Sequence, residues 1–383
     1  MVNGSLKKTS NVTVITRKSL VEALKKLSLA IDGKIQVPIY QTVKFDVTES
    51  QTTITATNGD TIAVTSFQNS YFTDKASFIF SYKYLNDFLK KSKADLIEFD
   101  TAQKDKISIK ADTIKFEVVA SDASEYPLMP NIEFDYLEMD VNDFKTVMKN
   151  TVFACATSES RPVLTGVHID YDTQKHLRFV ATDSHRLALY TLKNYKNQER
   201  DQLAYQITVP HASLIKISKM ISKATKTVVI GFNHKYTLIK FDDMEYWLRN
   251  LEGNYPDISR LIPDNFKSTI NLYSDELLEA TSTLSIIAKH DRNNVIRFNS
   301  TENQTTLNSD SPELGKMTAE LLVSSRTGEE ILCSFSSNYF TDALKALDCK
   351  IVTLNFNGSK HPFTLVNPLD DKALHLILPV RTY

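Results

Sequence analysis

The sequence predicts an α+β protein built three times over on one plan, two helices packed on antiparallel sheet. Three observations predict it. A strand-helix-strand pattern recurs at about one third of the chain length, a second helix recurs with the same period, and alternating β-branched runs fill the intervals. With 383 residues, 42% hydrophobic and 24% charged, the chain has material for several cores.

In the first third, KSLVEALKKLSLAI (18–31) has helical spacing. VKFDV (43–47), TITAT (53–57) and AVTSF (63–67) follow as half-buried strands of period two. The run SFIF (77–80) leads into SYKYLNDFLKKSKA, where Tyr84, Leu85, Phe88 and Leu89 share a helical face, and then into LIEFD (96–100). ISIKA (107–111) and IKFEVVA (114–120) complete the set. In the second third the helices are VNDFKTVMKNTVFACA (141–156) and HASLIKISKMISKA, the latter between QITVP (206–210) and VVIGF (228–232), with LRFVAT (177–182) as a strand. In the last third they are SDELLEATSTLSIIA (274–288) and SSNYFTDALKALDC, the latter between EILCSF (330–335) and VTLNF (352–356). Ser81, Pro210 and Ser336 begin the three recurring helices, 129 and 126 residues apart. SEYPLMP (124–130) and NYPDISRLIP (254–263) each set an aromatic-proline pair before a further proline, which marks the junctions. The expected domains are 1–127, 128–255 and 256–383.

Composition narrows the function. The first residues show no apolar run of signal-peptide length, and no stretch approaches the ~20 apolar residues of a membrane span, so a cytoplasmic protein without membrane contact is expected. Cys155, Cys333 and Cys349 are odd in number and set in apolar surroundings, as reduced core thiols would be. No HExxH, CxxC or glycine-rich phosphate loop occurs, so no metal, cofactor or nucleotide is expected. Asp183, Ser184 and His185 are the residue types of a hydrolase triad, but consecutive residues cannot adopt its linear geometry, and no enzyme is expected.

Net charge is −1, yet the six helical segments carry formal charges of +1, +3, +1, +4, −2 and 0, or +7 in all. Lys83, Lys90 and Lys91 lie on one segment; Lys216, Lys219, Lys223 and Lys226 recur on another at spacings that keep them on one helical face. A single lysine stripe is usually a solvated face. Concentration in the repeat suits phosphate contact without base reading.

Specific runs then match a family. FVATDSHRLALY (179–190), with RPVLTGVHID (161–170) before it, resembles the signature of the bacterial DNA polymerase III beta subunit, the beta sliding clamp. SDASEYPLMP (121–130) and RNLEGNYPDISRLIP (249–263) resemble its interdomain connections, and HLILPVRTY (375–383) its C-terminal tail. The resemblance covers essentially the whole chain, leaving residues 1–10 as an N-terminal extension and Tyr383 as one extra residue. It implies three clamp domains in a head-to-tail homodimer ring. That ring would encircle duplex DNA without sequence specificity and tether the replicative polymerase, the clamp loader and other clamp-binding-motif proteins. Ring geometry agrees: twelve helices spaced by ~10 Å leave ~28 Å clear, enough for a duplex, whereas six leave ~9 Å.

The resemblance also assigns sites. It implies a partner-peptide pocket of Leu164, Thr182, His185, Arg186, Leu187, Pro256, Arg260, Leu261, Tyr339, Pro362, Leu378, Pro379, Val380 and Arg381. The aliphatic residues would seat apolar anchors of an extended peptide, and the arginines and His185 its polar or carboxylate groups. Leu378, Pro379, Val380 and Arg381 are expected as one wall facing Leu187 and Leu261, because Pro379 favours an exit from the sheet. DNA contacts are implied at Lys34 and Ser158. The competing expectation is a generic multi-domain scaffold that binds peptides.

Overall fold

A computed structural model describes residues 12–31, 37–69, 75–103, 106–119, 122–171, 177–193, 195–197, 205–290 and 294–381. Six α-helices occur among them: α1 (Arg17–Leu27), α2 (Tyr82–Lys91), α3 (Val141–Thr151), α4 (His211–Met220), α5 (Ser274–Ala288) and α6 (Ser337–Leu347). Short side chains start two of them. Thr16 Oγ1 accepts the N–H of Ser19 at 3.2 Å ahead of α1, and Asp140 Oδ1 accepts that of Asn142 at 2.7 Å ahead of α3. α2, α4 and α6 each begin one residue after the expected Ser81, Pro210 and Ser336. On α2, Leu85 and Leu89 are buried, but Tyr84 is 69% exposed, so the apolar face is narrower than the spacing predicts.

The strands fall into two compact units. One comprises Met1–Glu138 with Lys219–Arg249, the other Met139–Ser218 with Asn250–Tyr383. Both cut across the thirds of the sequence because strands pair from one repeat to the next. In the first unit, Thr61–Gln68 pairs antiparallel with Met244–Arg249, setting Ile62 opposite Trp247. In the second, Arg186–Leu192 pairs with Asp370–Ile377, setting Leu187 opposite Leu376. The second joint lies within a nine-stranded antiparallel sheet.

Each unit also holds a four-stranded sheet, so the helices of the first and third repeats meet two sheets rather than one. In the first unit Phe45 and Phe78 of the larger sheet close on Phe99 of the smaller, with ring centroids 4.7 to 5.6 Å apart. Phe88 of α2 packs edge-on against Phe116, 4.9 Å away. In the second, Phe298 and Phe335 of the smaller sheet meet Phe356 and Phe363 of the larger at 5.5 and 5.1 Å. Cys155 and Cys333 are buried and Cys349 half-buried, all free thiols; burial pushes the first two up to about 12.

Gly328 shows the packing tolerance at a strand end. At φ +88°, a Cβ there would lie 1.9 Å from the Lys267 carbonyl oxygen, so no other residue fits.

Candidate functional site

The signature run ATDSHR is first of all a turn. It joins Leu177–Thr182 to Arg186–Leu192 and satisfies its own backbone. Thr182 Oγ1 donates to the Arg186 carbonyl at 2.7 Å and accepts the Ser184 N–H at 3.2 Å. Asp183 Oδ1 accepts the N–H groups of His185 and Arg186 at 2.9 and 3.0 Å. Ser184, at the tip, takes a left-handed φ of +75°. Asp183, Ser184 and His185 are thus consumed by turn geometry and present no nucleophile-base-acid line.

Arg186 is more deeply engaged than the sequence suggests. Its side chain is only 11% exposed, its Nε donates to Asp183 at 3.0 Å and its Nη1 to Asp342 of α6 at 2.6 Å. The guanidinium lies 4.5 Å from the ring centre of Tyr339 and 5.3 Å from that of Phe153. Committed to two carboxylates and two rings, it is not the free carboxylate receptor expected of it. His185 stays exposed, its ring stacked 6.2 Å from Tyr339. Burial, reinforced by the Asp183 charge, holds the Tyr339 hydroxyl above its ordinary pKa.

Beside the turn lies an apolar floor. Val180, Leu187 and Leu376 form its buried base, with Leu189, Leu374, Tyr255, Ile258 and Ile262 packed on it half-buried. Leu187 is therefore floor rather than an opposing wall. The connection 255–262 is pinned by His168, whose ring stacks 4.4 Å from Tyr255 while its Nδ1 meets Thr208 Oγ1 at 3.1 Å. Burial lowers the His168 pKa and raises that of Tyr255. On this connection Leu261 is 45% exposed and the Arg260 side chain 90% exposed, 4.0 Å from Asp257. Pro256 is exposed as well.

The tail leaves the sheet after Ile377, as the proline predicts. Leu378 donates its N–H to the His185 carbonyl at 3.0 Å, and Val380 to the Ser334 carbonyl at 2.7 Å. Pro379 sits between them, where no donor is needed. Leu378 is 40% exposed, Pro379, Val380 and Pro362 are half-buried, and Arg381 is exposed. Leu164 is 3% exposed in the short turn Pro162–Thr165 and belongs to the core.

The bonds and stacks thus bring together Thr182, His185, Arg186, Tyr339 and Leu378, with Val380 tied alongside and Leu187 in the floor. Sequence reasoning missed Asp342, Phe153, Ile258, Ile262 and the Ser334 carbonyl. Only Asp342 had a local signal, its position three residues after Tyr339 on one helix face.

Among the cationic candidates, Lys83, Lys90 and Lys91 are exposed on α2, and Lys216 and Lys219 on α4. Lys223 is exposed but lies beyond the end of α4, as does Lys226, so the four-lysine stripe is not one helical face. The cause is Ser222, whose Oγ accepts the N–H groups of Ala224 and Thr225 at 3.1 and 3.2 Å and turns the chain. With the observed bounds the six helices carry +3, +2, +1, +2, −3 and 0, or +5 in all. Among the described residues no carboxylate pairs with these lysines of α2 and α4. Ser158 is exposed in a loop, its hydroxyl 3.3 Å from that of Ser160. Lys34, Thr382 and Tyr383 lie outside the described residues. No group of His, Cys, Asp or Glu among the described residues is arranged to hold a metal, and no helix is long and apolar enough to cross a membrane.

Repeated helix pairs pack against antiparallel sheets, and an apolar floor lies where the last strand ends in a tail. Residues 12–130, 138–257 and 259–381 match, in turn, the N-terminal, central and C-terminal domains of the DNA polymerase III beta subunit. The chain is 31% identical over 379 residues to the beta sliding clamp of Bacillus subtilis, covering 96% of this chain and 99% of that one. It is 30% identical over 377 residues to that of Streptococcus pneumoniae, covering 96% and 98%. The crystal structure of the Bacillus subtilis DNA polymerase sliding clamp superposes with a TM-score of 0.90 at 30% identity, over 97% of this chain and 99% of that one. This chain belongs to the DNA polymerase III beta subunit family.

Proposed function

We infer that the chain is a DNA sliding clamp. Two copies close head to tail around duplex DNA without reading its sequence, hold the replicative polymerase, the clamp loader and other clamp-binding proteins, and catalyse nothing. The threefold repeat carries this reading, because a repeated helix pair supplies the inner wall of a ring, and the family relationship agrees with it. Exposed lysines on α2 and α4 supply phosphate attraction that ignores bases. Lys83, Lys90, Lys91, Lys216 and Lys219 are the proposed track; Ser158 and Lys223, each in a loop, and Lys34 are the other proposed DNA contacts. The site around the tail takes an extended partner peptide on its apolar floor, with Arg260, Arg381 and His185 at the rim. The protein works in the cytoplasm.

Closure of the ring is supported by two open sheet edges. Ile114–Val119 ends the four-stranded sheet of one unit and Gly315–Glu320 that of the other. Ile114 and Val119 are 53% and 85% exposed, and Ile286 of α5, the helix that packs on Gly315–Glu320, is 62% exposed. Open edges with exposed apolar residues are ready for pairing with a second copy. The test is retention on DNA after loading: a clamp stays on closed circles and leaves when they are cut, and a peptide-binding scaffold leaves both at the same rate. Ile286→Glu should shift solution mass from dimer to monomer and abolish retention.

A further inference from the structure

We propose that Asp342, on α6, is a positioning residue of the partner site, acting through Arg186. The proposal rests on the reading of the tail-side cleft as that site. Asp342 Oδ2 accepts Nη1 of Arg186 at 2.6 Å, while Asp183 accepts Nε of the same guanidinium at 3.0 Å. A guanidinium is a rigid planar fork, so two carboxylates bonded at different nitrogens fix its plane as well as its place. That plane sets the neighbours: the Tyr339 ring at 4.5 Å, and the Phe153 ring at 5.3 Å. Tyr339 in turn stacks on His185, whose carbonyl receives the Leu378 N–H at 3.0 Å. One ion pair thereby links helix, turn and tail. It also takes Arg186 out of direct recognition, leaving a partner's carboxylate to the exposed Arg260 and Arg381.

The two carboxylates are not equivalent. Asp183 is bound to the turn's own N–H groups, whereas the Asp342 side chain is 45% exposed and caps neither end of α6. Substitution at Asp342 therefore releases one end of the fork without dismantling the turn.

The experiment is fluorescence polarisation with a labelled pentapeptide carrying two leucines, one aspartate and a terminal phenylalanine, on the intact protein. Asp342→Asn should weaken binding about ten-fold, and Asp342→Glu should recover most of the loss. Tyr339→Ala combined with Asp342→Asn should lose little more than Tyr339→Ala alone, because both act through one ring position. Melting temperature and solution mass should stay at the parent values. Additive losses in the double variant, or parent affinity in Asp342→Asn, would overturn the proposal. Should Asp342→Asn melt early, Arg186→Lys keeps the charge while losing the fork, and parent affinity there overturns it equally. A protein lacking residues 378–383 that still binds the peptide would overturn the reading of the site itself, and the positioning role with it.

Discussion

Two turns of this molecule have the same hydrogen bonds, and only one of them lies in the proposed partner site. In turn 57–61, Thr57 Oγ1 donates to the Thr61 carbonyl at 3.1 Å and accepts the Gly59 N–H at 3.1 Å. Asn58 Oδ1 accepts the N–H groups of Asp60 and Thr61 at 3.1 and 2.8 Å, and Gly59 takes φ +94°. Turn 182–186 repeats each of these bonds with Thr182, Asp183 and Ser184. Each turn opens a strand that pairs with the neighbouring repeat, and each joint carries a polar pin. Asp243 bridges Lys26 and Thr65 in one, and Asp342 holds Arg186 in the other. One short signature thus combines bonds that build the fold with residues proposed for binding. Threonine, a short polar acceptor and a left-handed third residue belong to the fold. His185 and Arg186, which replace Asp60 and Thr61, belong to the proposed partner site.

The largest test removes what only the second region has. Deleting 378–383 should reduce affinity for the labelled pentapeptide by more than about 100-fold while solution mass stays that of the dimer. Undiminished binding would reduce the second turn to architecture like the first.

Acid should distinguish the regions next. His375 is buried between α3 and α6, with Nδ1 3.2 Å from the Ala343 carbonyl and Nε2 3.1 Å from that of Asn150. A neutral ring donates from one nitrogen only, so one carbonyl faces a lone pair; burial nonetheless lowers its pKa to about 4. Because the folded value lies below the unfolded one, the unfolded chain takes up the proton first. The stabilising contribution is complete above about pH 6.5 and is lost as pH falls toward 4, by about 3 kcal/mol. Denaturant titrations across that range should show the loss, and His375→Gln should flatten it.

A smaller effect compares the turns directly. Thr57→Val and Thr182→Val should each cost about 1–2 kcal/mol in chemical denaturation, but only Thr182→Val should also weaken peptide binding. Equal effects on binding would mean the site extends to both turns. Smallest of all, Ser184→Gly should stabilise by about 1 kcal/mol through relief of the left-handed backbone, and Gly59→Ser should cost a similar amount.

Strands and helices were legible because period and β-branching are local properties, and LRFVAT falls on Leu177–Thr182 to the residue. The end of α4 was not, because a serine two residues past it redirects the chain through hydrogen bonds that helical spacing does not register. Pairing across repeats was invisible as well, since nothing in AVTSF names MEYWLR as its neighbour. In the site, the tail's departure at Pro379 could be read from the missing donor. The commitment of Arg186 could not, because its partners Asp342 and Phe153 lie 156 residues after it and 33 before it.

The joining of repeats through strands has a consequence for how the chain is made. Thr65 pairs with Met244 and Arg186 with Ile377, separations of 179 and 191 residues. At roughly 5–20 residues per second of synthesis, the strand Thr61–Gln68 is made roughly 10 to 40 seconds before the partner that covers its edge. During that interval a strand edge is open to other nascent chains. Nascent-chain folding should therefore proceed by late closure rather than repeat by repeat, and slowing translation between residues 68 and 244 should raise aggregation more than slowing it after residue 249.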